Sequence, residues 1–225
     1  MIRLRARDGH ELDAYEARPS GRVRGGIVIS QEMYGVNDYL RGVCDFYASQ
    51  GYVAIAPALY DRRQRSLIFT YSKEDHDRAQ KTYTHWNYGH ALTDLIAAQD
   101  AVADVCKVEA ARIGIVGFCW GGTMAWLAAC RGNFACAVAY YGSFMPDYIG
   151  EHARCPIIAH VGDRDHSFPP PRIAYFRSAQ RSVPFHIYQG AQHGFDNPGR
   201  VERYDAAAHK LARERTLEFL GKHIG

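Results

Sequence analysis

Between residues 112 and 130 a β-branched run, Arg112-Ile113-Gly114-Ile115-Val116, passes without a spacer through Gly117-Phe118-Cys119-Trp120-Gly121-Gly122 into a helical pattern that ends near Cys130. Glycines two residues before and two residues after Cys119 let strand and helix approach closely while the central side chain is pushed into a strained, exposed position. A chain with such a junction is constrained to a sheet whose strands feed directly into covering helices. The same alternation recurs along the sequence. Short apolar runs at 26–30, 52–57, 135–140, 156–161 and 184–188 are separated by helical patterns at about 37–50, 74–105, 171–180 and 200–220. This order predicts βαβ units and an α/β fold with a mostly parallel central sheet between helical layers.

Upstream of that pattern, Glu11-Leu12-Asp13-Ala14-Tyr15-Glu16-Ala17 alternates with period two, so residues 1–18 are expected to add antiparallel edge strands. In the long helical stretch, Leu92, Leu95, Ile96, Ala98 and Val102 mark the buried face of its second half. The polar segment 61–72 is expected as a loop, either a lid or a plain surface spacer. No internal repeat, linker or low-complexity tract interrupts the pattern. With 225 residues, 47% of them hydrophobic, one sizeable core is expected, hence a single domain over residues 1–225.

The 27 Lys and Arg and 24 Asp and Glu give a formal charge of +3 and are scattered along the chain, which argues against a nucleic-acid partner. The N-terminal Met1-Ile2-Arg3-Leu4-Arg5-Ala6-Arg7-Asp8 lacks the apolar stretch of a secretory signal, and no run approaches the ~20 apolar residues of a membrane span. A soluble cytoplasmic protein, monomeric or weakly dimeric, is therefore expected. The six cysteines form no C-x-x-C pair; Cys44, Cys106, Cys130, Cys136 and Cys155 read as small core thiols, and Cys119 stands apart. The eleven histidines include no H-E-x-x-H or H-x-x-E-H spacing, and Gly114-Ile115-Val116-Gly117 lacks the third glycine of a dinucleotide fingerprint, so neither metal nor cofactor is expected.

Cys119 occupies the nucleophile position of a G-x-S-x-G pattern, as in α/β-hydrolases, and the helix start after it offers free N–H groups to a thiolate and a nearby oxyanion. The Trp120 N–H is the first candidate oxyanion donor. In such a fold the acid and then the histidine follow downstream at strand ends. Of the histidines, His193 alone lies in a small-residue loop at that place, Gly190-Ala191-Gln192-His193-Gly194-Phe195. His160 and His186 sit within strand patterns and read as packing residues, while His76, His85 and His90 fall on the long helix. The loop Gly162-Asp163-Arg164-Asp165-His166 offers two acids, Asp163 and Asp165, which spacing does not separate; one of them would only close the turn, and His166 would be a loop residue or a substrate contact.

The Cys-centred turn, together with Ser30-Gln31-Glu32-Met33-Tyr34-Gly35-Val36-Asn37, Gly51-Tyr52-Val53-Ala54, Gly162-Asp163-Arg164-Asp165-His166 and the His193 loop, resembles the dienelactone hydrolase family from about residue 10 to the C-terminus. The resemblance implies a Cys119, Asp165, His193 triad acting on an ester or lactone through a cysteinyl thioester. It implies Glu32 as partner of the resting thiol and Met33 as second oxyanion donor. Two arginines that hold a substrate carboxylate in the family are replaced here by Ala79 and Asn197, with Arg78 beside the first, and Tyr83 and Trp86 match pocket-wall positions. A broader carboxylesterase or thioesterase on the same scaffold, or a non-catalytic binding module, are the alternatives.

Overall fold

Strand formation follows the apolar runs closely. A computed structural model describes residues 1–84 and 86–225; His85, expected on the long helix, lies outside the described residues. The strands are β1 (Ile2–Arg5), β2 (Glu11–Ala17), β3 (Gly25–Ser30), β4 (Tyr52–Pro57), β5 (Ile113–Phe118), β6 (Cys136–Tyr140), β7 (Ile157–Gly162) and β8 (Phe185–Tyr188). They form one eight-stranded sheet in the order β1-β2-β4-β3-β5-β6-β7-β8. The pairs β1–β2 and β2–β4 are antiparallel and the rest parallel, so the period-two N-terminal segment does supply the antiparallel edge.

The sheet interior is apolar on both faces because successive side chains point to opposite sides. Val28, Ile55 and Ile115 face α3 (Tyr88–Cys106), α4 (Trp120–Arg131) and α5 (Pro170–Ala179). Their neighbours Ile27, Ile29, Ala54 and Val116 face α1 (Asp38–Ser49) and α6 (Ala206–His223). The molecule is thus a three-layer α/β/α sandwich.

Two helix boundaries differ from the periodicity. The stretch 74–105 is two helices, α2 (Lys73–Tyr83) and α3, because Asn87 caps a new start by accepting a bond from the His90 N–H at 3.0 Å. Leu95, Ala98 and Val102 of α3 are buried as expected, with Leu92 and Ile96 at the margin. The last helix starts at Ala206 rather than near 200, since Asp205 accepts from the Ala207 and Ala208 N–H groups. Residues 200–204 therefore remain outside the helix. Of the cysteines expected in the core, Cys44, Cys130 and Cys136 are buried, whereas Cys106 and Cys155 are half-buried at its edge. Among the described residues no helix is long and apolar enough to cross a membrane.

Candidate active site

Strands β3 and β5 are neighbours whose following helices cover opposite faces, which opens a crevice at their carboxyl ends. β3 runs out into Gln31-Glu32-Met33 and β5 into Cys119. Cys119 has φ 57° and ψ −120°, a backbone conformation that L-residues adopt only under strain. Its N–H bonds to the Tyr140 carbonyl at 3.0 Å, and the flanking glycines are required by close approach. A methyl group at Gly121 would overlap the Ser30 and Gln31 carbonyls, and one at Gly117 the Gly121 carbonyl. The strain thus aims the thiol into the crevice.

The His193 ring lies between sulfur and carboxylate. Its Nε2 is 3.1 Å from Cys119 Sγ and its Nδ1 2.8 Å from Asp165 Oδ2. Asp165 Oδ1 accepts from the Ser167 and Phe168 N–H groups at 2.7 and 2.9 Å, so both of its oxygens are committed. Asp163 instead accepts from the Gly190 N–H at 2.7 Å and ties two loops together. Of the two acids offered by this loop, Asp165 is therefore the one in contact with His193. Burial opposes a charge on His193, yet the adjacent Cys119 sulfur and the Asp165 carboxylate prevail and push its pKa up to about 10. Burial likewise opposes the Asp165 charge, and the His193 and backbone hydrogen bonds hold its pKa below the usual value.

Glu32 is buried near the thiol but does not pair with it. Its Oε1 is 3.4 Å from the Tyr141 hydroxyl, and its Oε2 accepts from Asn197 Nδ2 at 3.3 Å. The expected Glu32–thiol contact is therefore replaced by Cys119–His193. Burial raises the Glu32 pKa, against the pull of Arg200 and His193. Met33 and Trp120 bracket the sulfur at the ends of β3 and β5, and among the described residues neither of their N–H groups has a protein acceptor.

A cavity of about 130 Å³ opens beside Cys119, with Tyr34, the α2 side chains His76, Gln80 and Tyr83, and His166 in its wall. Tyr83 is part of that wall. Trp86 is not: it is buried behind the cavity, edge-on to Tyr60 and Trp120. Arg78 faces away, bonded to Asp75 at 2.7 Å, because Ala79 is the α2 residue turned inward. Asn197 is fully buried and bonds Tyr71 as well as Glu32, so it supports the site rather than lining the cavity. The segment 61–72 contributes no cavity wall; Asp61 and Tyr71 pin it to Asp13, Asn37 and Asn197. His160 is a packing residue, as expected, held between Tyr188 and Thr216.

Two arginines that sequence reasoning missed, Arg200 and Arg203, line the cavity. The turn preceding the Asp205 cap puts them there, and no helical or strand periodicity signals such a turn. Arg200 is buried over the Tyr34 ring, with its Nε lacking any acceptor among the described residues. Burial, followed by these two arginines, lowers the pKa of His76; burial and then Arg203 lower that of His166. Arg200 and Arg203 thus add positive charge to the cavity, while His76 and His166 are held towards their neutral forms. Among the described residues no group of His, Cys, Asp or Glu side chains is arranged to hold a metal ion.

Comparison with known proteins gives a consistent result. The model of the dienelactone hydrolase family matches residues 12–224. The carboxymethylenebutenolidases of Pseudomonas putida and Pseudomonas knackmussii are each 30% identical to this chain over 236 positions, covering 97% of it and 94% of the relative. The crystal structure of a provisionally assigned dienelactone hydrolase from Klebsiella pneumoniae superposes with a TM-score of 0.86 at 25% identity, over 98% of both chains.

Proposed function

The chain belongs to the dienelactone hydrolase family and is accordingly a hydrolase of esters or lactones, and we propose that it acts through a thioester on Cys119 with His193 and Asp165 as base and orienting acid. The observation that carries this reading is the single imidazole in contact with both sulfur and carboxylate, at 3.1 and 2.8 Å. The Cys119 thiolate attacks the carbonyl carbon, and the resulting oxyanion is held by the Met33 and Trp120 N–H groups. The C–O bond breaks as His193 delivers its proton to the leaving oxygen. His193 then takes a proton from water, whose oxygen attacks the thioester and releases the acid and the thiolate. Asp165 fixes the ring tautomer throughout.

Iodoacetamide separates this reading from a binding module or a serine-type esterase. Turnover of p-nitrophenyl acetate is expected to be lost in step with alkylation of Cys119, ahead of the other five thiols. Retained turnover on a fully alkylated Cys119, or alkylation no faster than at the other cysteines, would overturn it.

The cavity also favours one substrate class. The name of the Pseudomonas relatives denotes a butenolide bearing a carboxylate, and Arg200 and Arg203 supply the positive charge missing at positions 79 and 197. The small cavity suits a compact ring better than a long acyl chain. Arg200→Met is expected to raise KM for a carboxylate-bearing lactone by about 10- to 100-fold, the range for a charged hydrogen bond. A neutral ester of similar size should be unaffected. Steady-state kinetics on the two substrates checks this; equal losses on both would assign Arg200 to packing.

A further inference from the structure

Of the two proposed oxyanion donors, Trp120 opens α4, and its N–H direction is set by the helix. Met33 lies in irregular backbone beyond β3, so the aim of its N–H has to come from elsewhere. A trans peptide points its C=O and N–H in opposite directions, and holding the Glu32 carbonyl therefore aims the Met33 N–H. That carbonyl accepts twice, from the Gly35 N–H across a turn at 3.3 Å and from Gln31 Nε2 at 3.4 Å. The next two carbonyls are held as well: that of Met33 accepts from the Tyr60 hydroxyl at 2.7 Å, and that of Tyr34 from the Phe69 N–H at 3.0 Å.

Gln31 and Tyr60 are buried, and neither lines the cavity. The Gln31 amide has one orientation that satisfies both neighbours, since Oε1 accepts from the Leu59 N–H at 3.1 Å and Nε2 faces a carbonyl. Leu59 and Tyr60 begin the same short 3-10 turn, Leu59–Arg62, which follows β4. That turn is fastened at its far end. Arg62 Nε and Nη2 each donate to buried Asp94 of α3 at 2.7 Å, and Asp61 accepts from the Asp13 N–H of β2 at 2.8 Å. Gln31 and Tyr60 thus tie the Met33 backbone to a base fixed against β2 and α3.

We propose that Gln31 and Tyr60 are positioning residues that aim the Met33 N–H at the oxyanion by holding the peptide groups on either side of Met33. A buried carbonyl released from its partner turns towards another donor, and the N–H of the same peptide turns with it. Oxyanion stabilisation depends on donors fixed before the reaction, so loss of either hold weakens it. The Cys119–His193–Asp165 contacts involve neither residue and remain in place.

This inference rests on the thioester reading, and one pair of measurements separates the two. Hydrolysis of p-nitrophenyl acetate passes through an oxyanion in both acylation and deacylation. Iodoacetamide is attacked at its methylene carbon with loss of iodide, so alkylation of Cys119 needs the thiolate and no oxyanion donor. Tyr60→Phe removes one oxygen and keeps the ring edge-on to Phe69 and Trp86, while Gln31→Met keeps an unbranched side chain and removes its polar atoms. Loss of an oxyanion donor costs about 10²–10³-fold, and a donor kept but no longer aimed costs less, so kcat/KM is expected to fall about 10- to 100-fold in each variant. The rate of Cys119 alkylation is expected to stay within about twofold of wild type. Turnover within about twofold of wild type in either variant, or a loss matched by equally slowed alkylation, would overturn the positioning role. Failure of the thioester reading shows instead in the wild type, as turnover that survives alkylation of Cys119.

Discussion

Cys119→Ala is expected to lower kcat/KM for ester hydrolysis by about 10⁴-fold or more, with KM changed little, because in the proposed mechanism it removes the atom that attacks and leaves the cavity walls intact. The size follows from how nucleophile and base act as one unit. Without sulfur, His193 has nothing to activate for the first step, and only general binding and the two backbone donors remain. A second readout accompanies the first. The pKa of His193, pushed up to about 10, owes much to the neighbouring sulfur, so in Cys119→Ala the imidazole should titrate lower and keep only the Asp165 contribution. NMR titration of the ring, with kinetics on the same sample, checks both. An alanine variant within tenfold of the wild type would remove Cys119 from the chemistry.

Asp196→Ala is expected to cost about 3–5 kcal/mol of stability, the usual penalty for leaving one member of a buried ion pair uncompensated. For a domain of this size that is roughly 6–20 °C in Tm. Asp196 is fully buried and receives Arg213, His209 and Tyr39, thereby clamping the segment just after His193 to both α6 and α1. Its loss strands the buried Arg213 guanidinium. The double variant Asp196→Ala with Arg213→Met should therefore recover part of the loss, and urea unfolding of the three proteins tests this; a double variant less stable than either single one would refute the explanation.

The pH dependence of this clamp has a definite sign. Burial disfavours the Asp196 charge, but Arg213 and His209 hold its pKa below 3.8, so its contribution is present above that value and lost as pH falls through the folded pKa. The Asp196 hydrogen bond raises the His209 pKa above 6.5, so that contribution is complete below 6.5 and is lost as pH rises through the raised value. Stability from the clamp is greatest between the two.

The sequence by itself determined the parallel sheet, its antiparallel edge, the strained turn at Cys119 and the loop carrying His193, because each is written in local periodicity, glycine placement or chain order. It narrowed the acid to Asp163 or Asp165, and only a family resemblance preferred the second. What tertiary structure decided depends on groups far apart in the chain. Asp165 meets His193 across 28 residues, Asn197 turns to Glu32 across 165, and the Asp205 cap leaves Arg200 and Arg203 in a turn that faces the cavity. Arg78 stood beside a matching position and Trp86 at one, yet the helix rotation that buries Ala79 turns Arg78 outward, and core packing draws Trp86 behind the cavity wall. Periodicity specifies which face of an element is buried. Which polar groups from different elements come within hydrogen-bond reach is fixed only when those faces pack, and the charge at this cavity was decided there.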